Sequence, residues 1–340
     1  MEIIGTIAEY NPFHNGHQYH LKKIKELYPD SVIVLVLNGY FLQRGDVSIQ
    51  TKENKVKVAL HNNADIIVEL PCLYGTQSAD IFADKAMEIL AKFHVNRVII
   101  GSEINDASKL IEIAQLQLQP DFDDKVKEYI DLGNNYPTAL AKALNQDFDY
   151  TPNDLLGIAY AKAIAKHNYS IKLETIKRTN DYHDIILDDS IVSASNIRKR
   201  IEGNEDVSKY MPHESYSLLT NIDQTLLFNL IKYQILVSDN LDNYLDVTEG
   251  LDHVLKNAII KSKSIDELIQ NVKSKRYTYN KIKRMLIHIL LGIKKELQAF
   301  TQKDYNSVQY KTEMKASQIY DLITANNTTI FEKSNKPIQL

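Results

Sequence analysis

The sequence predicts an α/β protein with a parallel sheet, followed by a second, helical domain. Over roughly the first 200 residues, apolar runs of strand length alternate with amphipathic segments of helical period. The run 32–37 is apolar at every position, as expected for a strand buried on both faces of a parallel sheet. Beyond about residue 203 the strand patterns stop, and helical periodicity continues to residue 300. We therefore predict a Rossmann-like, doubly wound sheet and then an α-helical C-terminal domain.

The elements follow in a regular order. The predicted strands are 2–8, 32–37, 65–70, 95–100 and 170–178, each a β-leaning or alternating apolar run. A first helix is indicated by Leu21, Ile24, Leu27 and Tyr28, which recur at three- and four-residue spacing. Further helices are predicted over 51–61 and 78–93, within the acidic stretch 104–144, and after Thr151. This alternation is the pattern of consecutive βαβ units.

Length and composition indicate an ordinary globular chain of two domains. At 340 residues, it suits two domains of about 150 residues each. We predict a first domain over 1–202, a helical domain over 203–325 and a polar tail over 326–340. The hydrophobic content of 44% and the charged content of 25% are typical globular values. Because the formal net charge is only −4, any surface for nucleic acid must be local.

Several classes of protein are disfavoured. Cys72 is the only cysteine, which excludes an internal disulfide and a cysteine-based zinc cluster. No basic and apolar leader precedes the first strand, so the predicted location is the cytoplasm. The longest strongly apolar run, 285–293, is far shorter than the ~20 residues that span a bilayer. We predict no membrane association, and nothing in the sequence indicates a protein partner.

A loop after the first strand carries the most informative motif, His14-Asn15-Gly16-His17. The spacing of three places both imidazoles on one side of the first helical turn, beside its free N–H groups. A helix N-terminus with two added imidazole donors suits a polyphosphate. Gly16, which has no Cβ, would let a base or a phosphate approach the backbone.

This arrangement resembles the His-x-Gly-His signature of the nucleotidylyltransferase and class I synthetase superfamily, whose two histidines hold the phosphates of ATP. The resemblance implies a nucleotidylyltransferase-type sheet with His14 and His17 as catalytic residues. A second signature of that superfamily, serine-rich and then Ile-Arg at a helix start, resembles Ser193, Ser195 and Arg198. We predict Ser195 as the N-cap of that helix, where the dipole favours an anion.

Three further positions lie where strands end or helices begin. Gly101 follows the fourth strand, where a side chain would obstruct a nucleotide or where the chain simply turns. Asn153 lies in the helix start that Thr151 caps, so its side chain is free for a ligand or exposed to water. Arg178 ends the fifth strand.

Charge divides sharply in the helical half. Residues 203–252 contain nine acidic residues against two lysines, whereas 261–295 contain ten basic residues against two acidic ones. In 273–284, cations alternate with two tyrosines, a combination that suits phosphates and unpaired bases of a structured RNA; the alternative is a solvated basic helix face. The predicted RNA-binding residues are Lys275, Arg276, Tyr277, Lys281, Lys283 and Arg284.

Taken together, several segments resemble the bacterial tRNA(Met) cytidine acetate ligase family. They are the opening 5–17, the Gln43-Arg44-Gly45 loop, Gly101-Ser102-Glu103, Pro152-Asn153-Asp154 and the Arg276-Tyr277-Thr278 helix start. The resemblance extends to about residue 300. It implies formation of N4-acetylcytidine at the wobble position of elongator tRNA(Met), from acetate and ATP with Mg²⁺, through an acetyl-adenylate.

The same resemblance implies the ATP site. Its residues are Ile7, Ala8, Glu9, Tyr10, Asn11, Pro12, Phe13, His14, Asn15, Gly16, His17, Gln18, Tyr19 and His20, completed by Gly101, Asn153 and Arg178. Ser195 and Arg198 are added from the superfamily signature. No protein ligand for a resident metal is predicted, and no side chain presents itself as the base for acetyl transfer.

Two other functions remain open at this point. A small-molecule nucleotidylyltransferase, of the type that builds NAD or coenzyme A, explains both signatures but gives the charge-divided helical half no role. A non-catalytic RNA-binding adaptor explains the basic segment but not two chemically complete signatures. Steep salt dependence of tRNA binding argues against the former, and adenylate formation argues against the latter.

Overall fold

Five parallel strands form one sheet in a computed structural model that describes residues 1–144, 151–178, 190–248, 250–296 and 302–324. The strands are β1 (Ile3–Ala8), β2 (Val32–Asn38), β3 (Ile66–Leu70), β4 (Arg97–Ser102) and β5 (Lys172–Lys177). Their order in the sheet is β3-β2-β1-β4-β5. The predicted doubly wound fold class is confirmed, and each predicted strand is present within two residues of its expected bounds.

Helices connect and follow the strands. In chain order they are α1 (Asn15–Leu27), α2 (Lys52–His61), α3 (Cys72–Gly75), α4 (Ala79–Lys92), α5 (Ala107–Gln117), α6 (Phe122–Asp131), α7 (Tyr136–Leu144), α8 (Pro152–Lys166), α9 (Ala194–Glu202), α10 (His213–Ser217), α11 (Gln224–Val237), α12 (Leu251–Lys261), α13 (Ile265–Val272), α14 (Tyr279–Leu291) and α15 (Gln302–Thr324). Short 3₁₀ turns occur at Ser208–Tyr210 and Leu241–Asn243. The stretch predicted as helical over 104–144 is three separate helices.

The sheet register places two strand ends side by side. β1 pairs with β2 from Ile3 opposite Val32 to Ala8 opposite Leu37. On its other side β1 pairs with β4, with Ile4 opposite Arg97. Chain order reverses between β1 and β4, and such a switch point opens a crevice at the carboxyl ends of the strands. The loop that carries His14 and His17 leaves β1 at this crevice.

The chain divides into two compact units. The first contains Met1–Gly39, Gln50–Leu70 and Ser78–Leu219. The second contains Tyr40–Ile49, Pro71–Gln77 and Thr220–Leu340. The predicted boundary at 202 and 203 stays a prediction, and the predicted tail, 326–340, lies outside the described residues. The division adds two internal segments, 40–49 and 71–77, to the helical unit.

In the first unit, helices cover both faces of the sheet. One core combines Leu21 and Ile24 of α1 with residues of α2 and of the strands; its buried members include Ile4, Ile33, Leu35, Val58, Ala59 and Ile99. On the other face, α8 approaches β4 and α5 closely. A Cβ on Gly157 would lie 2.7 Å from a methyl group of Ile100 and 2.8 Å from one of Leu110, so any larger residue would make these side chains shift.

The second unit has its own core. Tyr40, Phe41, Cys72 and Leu73 from the two internal segments pack with buried residues of α11 to α15. Cys72 is buried, as expected for a small apolar side chain. His288 is fully buried in α14, where its Nε2 lies 2.9 Å from the carbonyl oxygen of Thr76. Within the described ranges, no helix is both long enough and apolar enough to cross a bilayer.

Candidate active site at the carboxyl ends of β1 and β4

The loop between β1 and α1 holds its two histidines by a capping arrangement. His14 is the N-cap of α1, and its Nδ1 accepts a hydrogen bond from the backbone N–H of Gly16 at 3.0 Å. The Nδ1 atom of His17 accepts from the backbone N–H of His14 at 3.2 Å. Because a neutral imidazole has one acceptor nitrogen and one donor nitrogen, both rings carry their proton on Nε2.

The two rings are also fixed by packing. They stack with their centroids 3.7 Å apart, and the ring of Tyr10 packs against that of His17 at 4.6 Å. A Cβ on Gly16 would lie 2.8 Å from Cε1 of His14. The sequence suggested that the missing side chain of Gly16 makes room for a base or a phosphate. In the structure it makes room for the His14 ring itself. The neighbouring turn includes Tyr10 at a φ of 47° and a cis bond between Asn11 and Pro12.

Burial and a nearby cation keep these histidines neutral. Burial, together with the positive charge of Arg178, lowers the pKa of His14 to about 3. For His17, burial and the same guanidinium hold the pKa well below its ordinary value. The site therefore offers two neutral N–H donors rather than two imidazolium cations. Such donors stabilise anionic oxygen in a low-dielectric site without a penalty for a buried charge.

His20 is a third histidine of the same cluster, one turn further along α1. Burial lowers its pKa to about 4, and Arg178 again contributes. Its Nε2 is buried and has no hydrogen-bond partner among the residues that the structure describes. An unpaired buried nitrogen beside the motif is available for a ligand atom.

Residues from β4, β5 and α8 meet around one carboxylate, that of Glu103. The Nε atom of Arg178 lies 3.3 Å from Oε1 of Glu103. The side-chain amide of Asn153 donates to the same oxygen, and Thr151 Oγ1 lies 2.8 Å from Oε2. The sequence suggested that the Asn153 side chain is free for a ligand or exposed to water. In the structure it is not free, because a carboxylate fifty positions away in the chain binds its amide. Glu103 instead holds Asn153 and Arg178 in place.

Gly101 lies within β4, directly beside Arg178, and is not a turn residue. A Cβ at Gly101 would lie 3.3 Å from Cγ of Arg178, which is a tight contact. The absence of a side chain lets the arginine lie against the strand. The positive charge of its guanidinium lowers the pKa of all three imidazoles.

The helix of the second signature, α9, is tied to the motif loop. Arg198 Nη1 donates to the carbonyl oxygen of Asn11 at 2.7 Å. The N-cap of α9 is Ser193, whose hydroxyl accepts from the N–H of Asn196. The prediction that Ser195 caps this helix was wrong, because the helix begins two residues earlier. Ser195 is exposed, and its hydroxyl lies 3.0 Å from that of Ser193.

The comparisons with known proteins identify this arrangement. The model of a family described as HIGH Nucleotidyl Transferase matches residues 1–312. A tRNA(Met) cytidine acetate ligase of Clostridium perfringens is 37% identical over 335 residues, which cover 91% of this chain and 83% of that protein. One from Caldicellulosiruptor saccharolyticus is 39% identical over 311 residues, with 86% and 78% covered. The chain belongs to the tRNA(Met) cytidine acetate ligase family.

Solved structures agree with this assignment. The crystal structure of apo Thermotoga maritima TmcAL has a TM-score of 0.79 at 25% identity, covering 93% of this chain and 84% of that one. A second crystal form of TmcAL, bound with alpha-thio ATP, has a TM-score of 0.77 at 25% identity, with 95% and 83% covered. The nucleotidylyltransferase type of the predicted sheet is thereby confirmed.

Not every residue of the predicted ATP stretch faces the histidine cluster. Gln18 is exposed, and its amide donates to Asn62 Oδ1 at 2.7 Å. Tyr19 is 37% exposed. Asn15 donates to the carbonyl oxygens of Ser190 and Lys209, so it holds the chain around α9.

Sequence reasoning missed two polar residues of this site. Lys55 is fully buried in α2, and its Nζ donates to the carbonyl oxygens of Glu9, Asn38 and Gly39 at 3.0, 2.7 and 2.6 Å. It thereby joins the ends of β1 and β2, and its burial lowers its pKa to about 7. Glu103 is the second residue, and the sequence assigned it no role of its own beyond membership of the Gly101-Ser102-Glu103 segment. The position of Glu103 just after a predicted strand could have indicated a site residue. Lys55 gives no such indication, because its sequence context is that of an ordinary solvent-exposed lysine in a helix.

The predicted RNA-binding residues of the second unit differ in accessibility. Lys275 and Arg276 are exposed. Lys281 lies over the ring of Tyr277 at 5.2 Å, and the Tyr277 hydroxyl lies 2.6 Å from Thr248 Oγ1.

The last two cations of that set already have local surroundings in the second unit. Lys283 forms an ion pair with Asp46. The side chain of Arg284 is largely buried, which lowers its pKa. The set therefore separates into an exposed pair, Lys275 and Arg276, and four side chains with structural contacts.

We searched the described residues for side chains that could bind a metal ion. Across the described ranges, no group of three or more His, Cys, Asp or Glu side chains is arranged to hold a metal ion. The carboxylate of Glu103 already binds Arg178 and Asn153.

The neutral histidines predict an acid-dependent loss of stability. Above about pH 6.5 they are neutral in both the folded and the unfolded chain, whereas below it only the unfolded chain gains protons readily. The free energy of unfolding should therefore fall as the pH decreases from about 6.5 to about 4, by up to about 1.4 kcal/mol per pH unit for each histidine. Urea unfolding at pH 7, 6 and 5 measures this slope. Carboxylates also contribute to this pH dependence, so wild type is compared with His20→Gln. The free energy of unfolding of this variant should depend less steeply on pH, by the equivalent of nearly one bound proton. An identical slope would show that His20 titrates normally.

Proposed function

We propose that this protein activates acetate with ATP and transfers the acetyl group to N4 of a cytidine in tRNA(Met). The observation that carries the proposal is the pair of stacked, neutral His14 and His17 rings beside Arg178 at the β1/β4 switch point. A polyphosphate is the ligand that such donors, a helix N-terminus and a guanidinium fit together. The named relatives and the TmcAL crystal structure with alpha-thio ATP support ATP as that ligand.

In the first step, an oxygen of acetate attacks the α-phosphorus of ATP, and the bond to the bridging oxygen of pyrophosphate breaks. Negative charge grows on the phosphate oxygens as this happens. We assign stabilisation of that charge to the Nε2–H groups of His14 and His17 and to the guanidinium of Arg178. The products are acetyl-adenylate and pyrophosphate. The residues that line this site are proposed to be those of the β1–α1 loop with Gly101, Asn153, Arg178 and Arg198, and less directly Ser195.

Mg²⁺ is proposed to enter on the phosphates of ATP rather than at a site built by the protein. Mg²⁺ commonly binds through substrate phosphates with few protein ligands. The carboxylate of Glu103 is committed to Arg178 and Asn153, which supports this assignment.

In the second step, the N4 amine of the cytidine attacks the acetyl carbonyl. A carbon–nitrogen bond forms, the bond between the acyl carbon and the phosphate oxygen breaks, AMP leaves, and the amine loses a proton. An activated acyl group and a positioned amine need orientation above all. We assign recognition of the tRNA to the basic segment of the helical unit, with the wobble cytidine of the elongator tRNA as target and the cytoplasm as location.

ATP–pyrophosphate exchange tests the first step. We expect exchange that requires acetate and is not supported by nicotinamide mononucleotide or pantetheine phosphate. Exchange that ignored acetate but required one of those phosphates would favour a small-molecule nucleotidylyltransferase. Tight tRNA binding without any exchange would favour a non-catalytic adaptor.

Charge reversal in the exposed basic pair tests the RNA surface. We expect Lys275→Glu with Arg276→Glu to weaken tRNA binding by about tenfold or more and to lower the salt slope by about two, because two phosphate contacts are lost. Acetate-dependent exchange without tRNA should be unchanged. Lys256→Glu with Lys261→Glu, also in the second unit, is the matched charge control. Equal effects of the two double variants would mean that net charge, not this segment, determines binding.

A further inference from the structure

Two buried polar residues outside every motif hold the backbone on which the catalytic histidines depend. Gln50 precedes α2, and Ser215 lies in α10. Both side chains are fully buried, as is Phe13. Burying an amide and a hydroxyl costs free energy unless each hydrogen bond is satisfied. Their partners here are the backbone of Phe13 and each other.

The contacts surround Phe13 on both sides. Its backbone N–H donates to Oε1 of Gln50 at 3.0 Å. Its carbonyl oxygen accepts from the hydroxyl of Ser215 at 2.6 Å. The Nε2 amide of Gln50 in turn donates to the carbonyl oxygen and to Oγ of Ser215, each at 2.9 Å. Gln50, Ser215 and Phe13 thus form one closed network, which we call the Phe13 clamp.

The direction of these bonds is fixed by chemistry. An amide nitrogen of Gln50 can only donate, so the hydroxyl oxygen of Ser215 is an acceptor toward it. The single hydroxyl proton of Ser215 is then available for the carbonyl oxygen of Phe13. Each member has one allowed role, and the network specifies one orientation of the peptide that joins Phe13 to His14.

That peptide is the one that orients His17. Its carbonyl oxygen accepts from Ser215, and its N–H, which belongs to His14, donates to Nδ1 of His17. Rotation of the peptide plane would move both groups together, because the peptide is planar. The hydroxyl of Ser215 is therefore coupled through one rigid unit to the nitrogen that sets the tautomer of His17.

We infer that Gln50 and Ser215 are positioning residues, which hold the Phe13–His14 peptide so that the Nε2–H groups of His14 and His17 point at the phosphates. The inference rests on the proposed function for its kinetic consequence, but its structural consequence can be measured without any substrate. The bonds from which this role is inferred run to the backbone of Phe13 and between Gln50 and Ser215.

The test uses the full chain with Ser215→Ala and Gln50→Met. Both changes remove the clamp while keeping approximate volume. Two readouts are made: the kcat and KM of acetate-dependent exchange with ATP, and the ring ¹⁵N shifts of His17, which report its tautomer. Ser215→Thr, which keeps a hydroxyl, tests rescue. Ser262→Ala is the matched control, because Ser262 is also buried but bonds Ala258 and Asn271 in the second unit.

We expect kcat to fall at least about tenfold in both clamp variants, since small misplacements of catalytic groups cost this much. His17 should change from a single Nε2–H form to a mixture. The double variant should be no worse than about threefold below the single ones, because Gln50 acts on the Phe13–His14 peptide through Ser215. Ser215→Thr should recover most of the loss, and Ser262→Ala should show neither effect.

The inference is overturned if folded clamp variants keep the wild-type kcat and a single His17 tautomer. Lower stability with an unchanged tautomer and unchanged KM and kcat per folded molecule would likewise mean a purely structural role. If Ser215→Ala does not fold, Gln50→Met and the milder Gln50→Glu decide the question by the same readouts. A wild-type protein without acetate-dependent exchange would contradict the proposed function, while the His17 tautomer would still test the clamp.

Discussion

His14→Asn is expected to lower acetate-dependent ATP–pyrophosphate exchange by about 10²- to 10³-fold while leaving the protein folded. Asparagine is a favourable N-cap, and its side-chain oxygen can replace Nδ1 of His14 as acceptor for the N–H of Gly16. The Nε2–H donor is lost, however, and removal of one preorganised donor to developing charge typically costs this much in kcat. Steady-state exchange rates and thermal unfolding of the same samples measure both parts of the prediction.

A matched control is available for this variant. His253 in the second unit has an 84% exposed side chain, so His253→Asn should change neither exchange nor stability. His17→Ala should be as inactive as His14→Asn but less stable, because it also leaves the N–H of His14 without its acceptor. Exchange within threefold of wild type in folded His14→Asn would show that this imidazole does not stabilise the reacting phosphate.

Lys55→Met is expected to destabilise the protein by roughly 3–5 kcal/mol, the largest stability effect that we predict. The three carbonyl oxygens that Lys55 binds would lose this ammonium donor, and a buried group that loses a hydrogen bond costs about 1–3 kcal/mol. These carbonyls end β1 and β2, so the turn that leads to the histidines should also lose its geometry. Urea unfolding at pH 7 gives the first quantity, and the exchange rate gives the second.

Lys52→Met is the control on the same helix. The Lys52 ammonium is partly exposed and pairs with Glu69 at 2.9 Å, an interaction worth about 0–1 kcal/mol. Equal losses of stability in the two variants would mean that the three carbonyl contacts of Lys55 contribute nothing beyond an ordinary surface ion pair.

The sheet was predictable because its signals are local. Each strand is a short apolar or alternating run, and each following helix has its own periodicity, so neither depends on distant residues. The division into units was less accessible. Segments 40–49 and 71–77 lie between elements of the sheet in sequence but pack with helices beyond residue 220. No periodicity in such short loops reveals a partner so far along the chain.

The site also has a part that could be predicted from the sequence and a part that could not. The histidine motif is contiguous, and its placement after a strand end was enough to predict a phosphate site. Asn153 shows the opposite case: its side chain was expected to be free for a ligand or exposed to water, yet Glu103, which follows the neighbouring strand, binds it. Gln50, Lys55 and Ser215 act through backbone groups that are remote in sequence. A polar residue in an amphipathic pattern gives no sign of whether it faces water or a buried carbonyl.

The most direct test of the account is nucleoside analysis by mass spectrometry of an unmodified tRNA(Met) transcript after incubation with this protein, ATP, Mg²⁺ and ¹³C-labelled acetate. The account predicts N4-acetylcytidine that carries both heavy carbons, found at the wobble position, formed only with ATP and absent with His14→Asn. The account would be contradicted if the wobble cytidine stayed unmodified, or carried an unlabelled acetyl group, while ATP–pyrophosphate exchange was active. The adenylate would then serve a different acceptor.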